Sequence, residues 1–572
     1  MGSLLEIERG LILMSNDMHF RDLRELLEHS ERLYAKEIAF KTKKKGAIEE
    51  VTYAQFANDV RSLASYLLNL NIKNKRVAII SANRYEWAMS YFATLTSDLT
   101  VVPLDKSLPE AEFHSLIERS QSDVIIYEDK YTSFIENEKA NEKSSVIEYI
   151  NMDTGLKDCL EKGAKLYSKK NAPYKKVKIE NDKMRFMLFT SGTTSMSKCV
   201  MLCHKNICTN VEQCSARLPI GPGDSLLSFL PIHHTFECTA GFVYPMANGA
   251  TIAYCEGLRH IVPNLKEFKP TLMVGVPTLF ESMYKKVWKN IEDGGRAKKV
   301  KFAIKLSKFL LKLKIDIRKK VFKQIHDTVG GNLRFFVSGA AGISPEVIKG
   351  FDDFGIVVLQ GYGLTETSPV VAVENLQNRR FGSVGKALEK LEVKLDDMNE
   401  EGIGEIMVKG DTVMLGYYEN EEATKEVLSK GWFRTGDLGR IDEDGFIYIT
   451  GRKKDVIVLK NGKNVFPEEL EVLINNQIEF VKESMVYGAI IEDNEVELRA
   501  KIVYDKEALK EKHGEISEEE LEKMFWDKIK EVNKQMPTYK YIKDIILTDE
   551  ELIKTTTQKI KRFEEMKKIF AK

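Results

Sequence analysis

The sequence predicts an α/β fold, with a large multilayer N-terminal body followed by a small α+β C-terminal domain. Apolar residues recur at helical spacing over 20–34 and 53–70, and these stretches alternate with short apolar runs at 76–80 and 123–127 that are typical of buried strands. The chain has 572 residues, which is more than one hydrophobic core usually holds. We therefore expect at least two domains.

A change of pattern after residue 450 places the boundary between these domains. Residues 438–450 contain Asp444-Gly445 between two alternating runs, which predicts a β-hairpin that ends the large body. Beyond it, short strands at 485–491 and 498–504 alternate with charged helices such as 517–532. We expect residues 1–450 to form an N-terminal body and residues 451–572 to form the smaller domain.

The charge and cysteine content exclude some classes of protein. Lysine plus arginine equal aspartate plus glutamate at 86 each, so no overall field favours nucleic acid, and we expect no nucleic-acid partner. Seven cysteines without regular pairing predict free thiols in a reducing compartment, by default the cytoplasm. The first residues do not match a secretory signal, and no apolar run is long enough to span a membrane.

Five of the possible metal ligands are close together in the sequence: Cys199, Cys203, His204, Cys208 and Cys214. They lack the paired spacing of structural zinc sites. We expect buried free cysteines here.

A loop rich in glycine, serine and threonine is the first functional signal. Residues 190–198 read TSGTTSMSK and follow a short apolar strand at 185–189. Glycine lets backbone N–H groups turn inward, hydroxyls add donors and lysine adds a positive charge, so such loops bind phosphate. The candidate phosphate-binding residues are Thr190, Ser191, Gly192, Thr193, Thr194 and Lys198. Ser197 and Cys199 flank the lysine, which excludes the Walker loop of P-loop NTPases.

Residues 298–323 mix lysines with apolar residues at roughly helical spacing and contain a single acidic residue, Asp316. A basic amphipathic helix of this kind suits an anionic membrane surface. It equally suits an ordinary surface helix whose apolar face packs on the core. The sequence leaves both interpretations open.

Six further motifs follow the phosphate loop in the chain: LPIHHTFE (230–237), VSGAAG (337–342), GYGLTET (361–367), RTGDLG (434–439), GRKKDVIVLKNGKNVFPEELE (451–471) and TTTQKIKR (555–562). In this order and spacing the set resembles the acyl-adenylate-forming (AMP-binding) superfamily, and within it the long-chain fatty acid CoA ligases. The resemblance covers most of the chain. It implies a ligase that converts a fatty acid, ATP and CoA to acyl-CoA, AMP and pyrophosphate through an acyl-adenylate, with Mg²⁺ as cofactor.

The resemblance also implies which residues carry the first step. Glu366 matches the family's Mg²⁺ ligand and Thr190 its hydroxyl partner, while Thr365 matches the residue that hydrogen-bonds the α-phosphate. Lys559 matches the lysine that bridges the carboxylate and the α-phosphate. His234 matches the histidine beside the acyl channel, although neighbouring His233 leaves the register open.

Nucleoside recognition is implied in the same way. Tyr362 resembles the aromatic residue that stacks on adenine, beside Gly363 of the same motif, with the backbone of Gly339 and Ala340 on the other side of the base. Asp437, helped by Arg452, resembles the carboxylate that accepts hydrogen bonds from both ribose hydroxyls.

The second step requires the small domain to be a mobile lid. Lys454 occupies the family's hinge position, so the lid is expected to rotate, withdraw Lys559 and bring residues 462–467 toward the pantetheine path. The resemblance leaves a carrier-protein phosphopantetheine as an alternative acceptor, and an aryl or other carboxylate as an alternative substrate. The acyl tunnel is expected to include Gly275, Val276 and Pro277, and Phe236 stands where some long-chain members have a gating tryptophan.

Four positions depart from the family pattern. Ser195, Ser197 and Cys199 replace the usual Gly, Pro and Gly, and Gln558 replaces a glycine. A side chain at a former glycine would strain any backbone that needs positive φ. Because Glu366, Asp437, Arg452 and Lys559 are all retained, we expect an active enzyme.

Overall fold

The computed structural model describes residues 18–190, 197–460, 462–491, 495–555 and 559–571. Within these ranges the chain has the alternating helices and strands that the sequence predicts. Its helices are α1 (Leu23–Tyr34), α2 (Tyr53–Leu67), α3 (Tyr85–Leu95), α4 (Glu110–Ser120), α5 (Thr132–Lys139), α6 (Leu156–Tyr167), α7 (Pro173–Lys176), α8 (His204–Arg217), α9 (Tyr244–Ala247), α10 (Ile261–Phe268), α11 (Pro277–Asp293), α12 (Ala297–Lys312), α13 (Arg318–Val321), α14 (Lys323–Thr328), α15 (Pro345–Asp353), α16 (Glu421–Val427), α17 (Pro467–Gln477), α18 (Lys506–His513), α19 (Glu518–Asn533) and α20 (Arg562–Phe570).

The strands are β1 (Ile38–Lys44), β2 (Ala47–Thr52), β3 (Arg76–Ile80), β4 (Thr100–Pro103), β5 (Val124–Tyr127), β6 (Glu148–Asn151), β7 (Phe186–Thr190), β8 (Lys198–Leu202), β9 (Ser225–Ser228), β10 (Thr251–Tyr254), β11 (Leu272–Gly275), β12 (Phe335–Ser338), β13 (Val357–Gly363), β14 (Val370–Val373), β15 (Lys386–Ala387), β16 (Glu392–Asp396), β17 (Gly404–Lys409), β18 (Gly416–Tyr417), β19 (Leu428–Ser429), β20 (Trp432–Ile441), β21 (Ile447–Arg452), β22 (Ile457–Val458), β23 (Asn464–Val465), β24 (Val481–Ile490), β25 (Val496–Tyr504) and β26 (Asp544–Thr548).

Two large sheets form the N-terminal body. One has the order β15-β14-β13-β12-β11-β9-β10-β1-β2 and the other β18-β8-β7-β4-β3-β5-β6. The central strands of both sheets run parallel. Parallel strands are covered on both faces, which is why β3, β5 and β12 are almost uninterrupted apolar runs.

One apolar core joins the two sheets through buried helix α8. The core contains Val77 and Phe186 from one sheet, Leu226 and Phe335 from the other, and Val211 of α8 between them. A helix buried on nearly all sides lies inside a body of several layers. The thiols of Cys199, Cys203, Cys208 and Cys214 are free and buried, as the sequence predicts.

The stretches predicted to start at 53, 76 and 123 begin within one residue of α2, β3 and β5. The Asp22 carboxylate accepts the N–H groups of Arg24 and Glu25 and caps α1, and the Thr52 hydroxyl caps α2. The prediction for 298–323 was wrong in one respect, because these residues do not form a single helix. Helix α12 ends at Lys312, and Asp316 accepts the N–H of Arg318 at 3.0 Å and starts the separate turn α13.

The predicted hairpin is present as β20 and β21, with Gly445 in the turn at φ 83°. The hairpin belongs to a five-stranded sheet of β16, β17, β19, β20 and β21. Strand β21 ends at Arg452, so the chain leaves that sheet two residues after the predicted domain boundary, which itself stays a prediction. Beyond it, β24, β25 and β26 form a three-stranded sheet whose core includes Leu470 of α17 and Phe525 of α19. No helix in the described part of the chain is both long and apolar enough to cross a membrane.

Candidate active site

The carboxyl ends of parallel strands β7, β11, β12 and β13 open into one cleft of about 1540 Å³. Ligand sites of α/β proteins lie at this edge of the sheet, because the strand-to-helix loops are there. The C-terminal segment that carries Lys559 and Arg562 closes the cleft from the other side. The twelve described residues that the sequence predicts for catalysis, nucleotide binding or metal binding all line this cleft: Thr190, Lys198, His234, Gly339, Ala340, Tyr362, Gly363, Thr365, Glu366, Asp437, Arg452 and Lys559.

Thr190 and Lys198 face each other at the start of the phosphate loop. They are the terminal register pair of antiparallel strands β7 and β8, and the Thr190 hydroxyl donates to the Lys198 carbonyl at 3.3 Å. Ser191, Gly192, Thr193, Thr194 and Ser195 lie outside the described residues, as does Gln558. The structure therefore fixes where the loop leaves and rejoins the sheet.

Two departures from the family pattern have local partners. The Arg119 guanidinium donates to the Ser197 hydroxyl at 3.2 Å and to the Ser197 carbonyl at 2.7 Å. Cys199 is a buried residue of β8, and burial raises the pKa of its thiol to about 12. Cys199 replaces a glycine but has no positive φ, so the strain expected of a replaced glycine does not arise there.

Glu366 is held beside β8 by a residue from a distant segment. It lies in a short 3₁₀ turn, Thr365–Thr367, directly after β13. The Tyr417 hydroxyl donates to Glu366 Oε1 at 2.9 Å, and Tyr417 reaches it because β18 pairs with β8. The Lys198 ammonium lies 4.7 Å from the centre of the Tyr417 ring. Glu366 is thus on the side of the cleft from which the phosphate loop departs.

The residues at this position fit a magnesium ion. Within the described ranges no lysine or arginine forms an ion pair with Glu366, and Tyr417 occupies only one of its oxygens. Carboxylate and hydroxyl oxygens, as on Glu366 and Thr190, are the ligands that Mg²⁺ prefers.

The candidate nucleoside pocket is built by one cross-strand pair. Asp437 and Arg452 are opposite each other on β20 and β21, and Arg452 Nε lies 2.7 Å from Asp437 Oδ1. The Tyr362 hydroxyl donates to Asp437 Oδ2 at 2.7 Å. A carboxylate has about four acceptor positions, so the buried Asp437 keeps capacity for ribose hydroxyls.

The backbone at the end of β12 forms the opposite wall of this pocket. A Cβ on Gly339 would lie 2.6 Å from the Phe236 ring, so only glycine fits between that ring and the cleft. Ala340 has φ 69°, a left-handed conformation that alanine adopts only where its surroundings impose it. Phe236 therefore packs under the predicted base-binding backbone, and it does not stand free as a gate.

Lys559 enters the cleft from a tight loop of the small domain. The Thr555 N–H donates to the Lys559 carbonyl at 2.8 Å, and the Lys559 N–H donates to the Thr555 hydroxyl at 3.2 Å. The Lys559 side chain is exposed to the open cleft, but protein atoms surround it on its other sides. The resulting loss of hydration lowers the pKa of its ammonium group, and the Arg452 cation lowers it further, while Asp437 and Glu366 act in the opposite direction. Lys559 is thus within electrostatic range of both candidate acidic residues.

Arg562 anchors the loop that carries Lys559. Its two terminal nitrogens donate to the two oxygens of Glu471 on α17 at 2.7 and 2.6 Å, and it donates to the Val486 carbonyl at 3.2 Å. A bidentate arginine–carboxylate pair fixes direction as well as distance. Burial acts to lower the pKa of Arg562, but the carboxylates of Glu471, Glu468 and Asp455 outweigh it and raise that pKa above its ordinary value.

Both histidines of the LPIHHTFE motif reach the cleft wall. His233 Nε2 lies 3.5 Å from Asp105 Oδ2, and the two imidazole rings are 4.1 Å apart. Burial, with smaller contributions from His233 and Lys559, lowers the pKa of His234 to about 3. His234 is therefore a neutral ring at ordinary pH.

A buried polar network holds the turn that presents these histidines. Asn83 Nδ2 donates to the Leu230 carbonyl at 2.7 Å, and Asn83 Oδ1 accepts the Ile232 N–H at 3.1 Å. The same amide donates to the Ser228 hydroxyl, which donates to buried Glu237 at 2.5 Å. Asn83, Arg119 and Tyr417 had no signal in the sequence, because the partners of each are between about 50 and 150 residues away along the chain.

An apolar arm of the cleft runs into the N-terminal body. Val276 and Pro277 line it, together with Leu218 and Tyr244 deeper inside. Gly275 does not line the cleft as expected among the described residues, because it packs against the rings of Phe280 and Phe229. The arm offers an apolar chain a path that begins beside His234.

Comparisons with known proteins agree with this arrangement. Residues 27–418 match the model of the AMP-binding enzyme family, and residues 454–572 match the AMP-binding enzyme C-terminal domain. The long-chain-fatty-acid–CoA ligase FadD15 of Mycobacterium bovis is 30% identical over 74% of this chain and 73% of its own length. The chloroplastic long-chain-fatty-acid–[acyl-carrier-protein] ligase AEE15 of Arabidopsis thaliana is 28% identical over 90% of this chain and 81% of its own length.

A solved structure shows the same fold. The anthranilate CoA ligase AuaEII, in complex with anthranoyl-AMP, superposes with a TM-score of 0.77 at 20% identity, over 97% of this chain and 98% of its own. Because the family model matches more than two thirds of the chain and the family's C-terminal domain matches the residues that follow, this chain belongs to the AMP-binding enzyme family.

Proposed function

We propose that the protein activates a long-chain fatty acid with ATP and transfers the acyl group to CoA. The observation that carries this proposal is the meeting, in one cleft, of Glu366, Asp437, Arg452 and Lys559 with an apolar arm that leads into the body. The fatty acid as substrate is supported by the similarity to long-chain fatty acid ligases. The apolar arm agrees with it, because each buried methylene contributes about 0.8 kcal/mol.

The first step must overcome repulsion between two anions. A carboxylate approaching the α-phosphate meets a like charge, and at about 4 Å the repulsion is about 4 kcal/mol at an effective dielectric near 20. Lys559 is proposed to lie between the two anions and offset this repulsion, with Thr365 donating to the α-phosphate. Mg²⁺ held by Glu366 and Thr190 would supply further positive charge at the phosphates. The loss of this cancellation would slow the step about a thousandfold.

The remaining residues are proposed to hold the nucleotide and the acyl group. Asp437 accepts the ribose hydroxyls while Arg452 and Tyr362 fix its orientation. Neutral His234 borders the carboxylate without adding a competing charge. The loop at 190–198 binds the outer phosphates, and its Lys198 is directed by the ring of Tyr417.

In the second step the CoA thiol must attack the carbonyl carbon of the acyl-adenylate, with AMP as the leaving group, so it needs the space that Lys559 occupies beside that carbon. We propose that the small domain rotates near Lys454, which lies in the 3₁₀ turn Lys453–Asp455 directly after β21. In the present arrangement Lys559 is inside the cleft, which suits adenylate formation. Residues 462–467 are not part of the cleft lining described here, and they are proposed to approach it after rotation.

Carboxylate-dependent exchange between ATP and pyrophosphate tests the proposal. We expect exchange with fatty acids and an increase from short to long chains, followed by acyl-CoA formation when CoA is added. No exchange with any fatty, aryl or amino acid would refute it. Because one similar protein is a carrier-protein ligase, CoA and a phosphopantetheinylated carrier protein are compared as acceptors.

Lys559→Ala tests the assigned division between the two steps. We expect adenylate formation to fall about a thousandfold, since the lysine offsets the repulsion between anions, while thioester formation from supplied acyl-adenylate is retained. The two half-reactions are measured separately by pyrophosphate release and by acyl-CoA formation. Equal loss of both would contradict the role of Lys559.

A further inference from the structure

Helix α12 presents an apolar stripe to solvent. Phe302 is 68% exposed, Phe309 60% and Leu306 43%, and Leu313 just after the helix is 57% exposed. Nineteen large apolar residues are exposed in the described chain, and six of them fall within residues 302–321. Single exposed apolar residues are ordinary, but a cluster of this kind marks an interaction surface.

The core does not account for this stripe. The buried side of α12 is formed by Ile304 and Ser307, and Ile304 packs with Trp288 of α11 and Phe354 after α15. At about 100° per residue, Phe302, Leu306 and Phe309 lie on the face opposite Ile304 and Ser307. The helix therefore has two apolar faces, and only one of them packs on the protein.

The charge around the exposed stripe has one sign. Residues 298–323 contain eleven lysines and arginines and one acid, Asp316. That acid pairs with Arg318, while Lys308 pairs with Asp353 and Lys323 with Asp327. Within the described ranges, eight lysines of the segment form no ion pair: Lys298, Lys299, Lys301, Lys305, Lys312, Lys314, Lys319 and Lys320. Such a surface is complementary to an anionic partner that also accepts apolar side chains.

This surface is close to the candidate active site. Helix α12 packs against the C-terminal half of α11, and the first turns of α11 line the cleft at Pro277, Thr278 and Glu281. About two helical turns, or about 10 Å, separate Glu281 from Trp288, where α12 is in contact. Helix α15 likewise lines the cleft at Pro345 and Glu346.

We propose that α12 and the following residues to 321 dock on the surface of an anionic phospholipid bilayer. Phe302, Leu306, Phe309 and Leu313 enter the boundary between headgroups and acyl chains, and the unpaired lysines contact anionic headgroups. The benefit of docking rests on the proposed function: it would hold a wall of the cleft next to the membrane in which long-chain fatty acids dissolve. A bilayer is favoured over a protein because lysines without ion pairs flank the exposed apolar stripe on the same helix, as in helices that lie in the interface of an anionic membrane.

Vesicle sedimentation tests the docking with the full chain. Vesicles of phosphatidylcholine with about 30% phosphatidylglycerol should bind the protein, and pure phosphatidylcholine should bind it at least tenfold more weakly. Phe302→Ser/Phe309→Ser should reduce binding to the anionic vesicles at least tenfold, and so should Lys305→Glu/Lys312→Glu. High salt should release the protein, because the headgroup contacts are screened.

Matched variants distinguish binding through this surface from nonspecific adsorption of exposed apolar or basic residues to vesicles. Met398→Ser/Ile490→Ser removes apolar residues that are 62% and 73% exposed elsewhere, and Lys36→Glu/Lys178→Glu makes the same charge change on other exposed lysines. Both controls should bind vesicles as the unchanged protein does. No preference for anionic vesicles, or equal loss in test and control variants, would overturn the proposal; binding of a protein partner without vesicle binding would do so as well.

Activity separates the docking from the proposed function. The α12 variants should retain pyrophosphate exchange with a short, freely dissolved fatty acid, and should lose activity only toward long-chain fatty acid presented in anionic vesicles. If the unchanged protein shows no exchange with any carboxylate, the proposed function fails whatever the vesicles show. If it shows exchange but no docking, the docking alone fails.

Discussion

Tyr417 shows how one hydroxyl orients a candidate metal ligand. It donates to Glu366 and lies under the Lys198 ammonium, so it links the carboxylate to the phosphate loop. Without that hydrogen bond the Glu366 side chain regains rotational freedom. Partners of metal ligands usually matter about as much as the ligands.

We predict that Tyr417→Phe weakens the apparent Mg²⁺ affinity about tenfold, because the lost hydrogen bond no longer orients Glu366. The measurement is the Mg²⁺ dependence of pyrophosphate exchange at saturating fatty acid. Tyr418→Phe is the control, since the neighbouring Tyr418 hydroxyl accepts a hydrogen bond from Arg76 and is not a partner of Glu366 in the described structure. An unchanged Mg²⁺ midpoint would show that Tyr417 does not orient the ligand.

Glu237 is a second residue whose environment sets its chemistry. It is fully buried between Ser228 and the histidine turn, and burial raises the pKa of its carboxyl to about 8. The folded protein thus holds a proton that the unfolded chain releases near its ordinary value of 4.5. The contribution of this bound proton to the free energy of unfolding is fully present below the unfolded pKa of 4.5 and is lost as the pH rises toward 8.

We predict that Glu237→Gln flattens this pH dependence. Between pH 5 and 8, each pH unit should lower the free energy of unfolding of the unchanged protein by up to about 1.4 kcal/mol from this group. The variant should match the unchanged protein near pH 5 and exceed it at pH 8, as measured by urea unfolding. Parallel stability curves for the two proteins would rule out a neutral, buried Glu237.

At the scale of secondary-structure elements, register decides which side chains meet. Asp437 and Arg452 are paired because β20 and β21 form a hairpin, and Thr190 and Lys198 because β7 and β8 do. Lys559 depends instead on a loop fixed to α17 by Arg562. The two hairpins belong to the N-terminal body, while the Lys559 loop belongs to the C-terminal domain that is proposed to rotate.

We predict that Arg562→Lys reduces adenylate formation about tenfold, because lysine cannot form the bidentate pair with Glu471 that directs the loop. Thioester formation from supplied acyl-adenylate should change little, since Lys559 is not proposed to act in that step. Lys561→Arg, next in the chain, is the control for a change of cation. Equal loss of both half-reactions, with an unchanged melting temperature, would argue against positioning through Lys559.

At the scale of the whole molecule, helix α11 connects the two domains. The Lys285 ammonium donates to the carbonyls of Asn475 and Val481 at 3.3 and 3.4 Å, and Lys289 pairs with Glu511 at 3.5 Å. Burial lowers the pKa of Lys285. These contacts belong to the arrangement with Lys559 in the cleft, so they must break if the small domain rotates.

We predict that fixing this arrangement separates the two reactions. Lys289→Cys/Glu511→Cys, joined by a short bismaleimide, should keep pyrophosphate exchange but lose at least 90% of acyl-CoA formation, because Lys559 cannot leave the cleft. Each single-cysteine variant treated with the same reagent is the control. Full acyl-CoA formation by the joined protein would refute rotation as a requirement.

The sequence by itself determined the fold class and the motifs. Strand β3 follows from local periodicity and the β20–β21 hairpin from turn chemistry, both of which neighbouring residues encode. Its motifs also supplied the twelve candidate binding and catalytic residues of the described chain that line the cleft. The length of the helix at 298–323 was wrong, because Lys314 takes a left-handed φ of 61° just after α12 and the chain turns away there.

Only the tertiary structure decided which distant segments meet. Tyr417 reaches Glu366, Arg119 reaches Ser197 and Asn83 reaches the histidine turn through sheet pairing and packing over long separations. It also showed that α12 packs one apolar face and exposes the other. Periodicity reveals that a helix has apolar residues, but burial depends on which partner the rest of the chain provides.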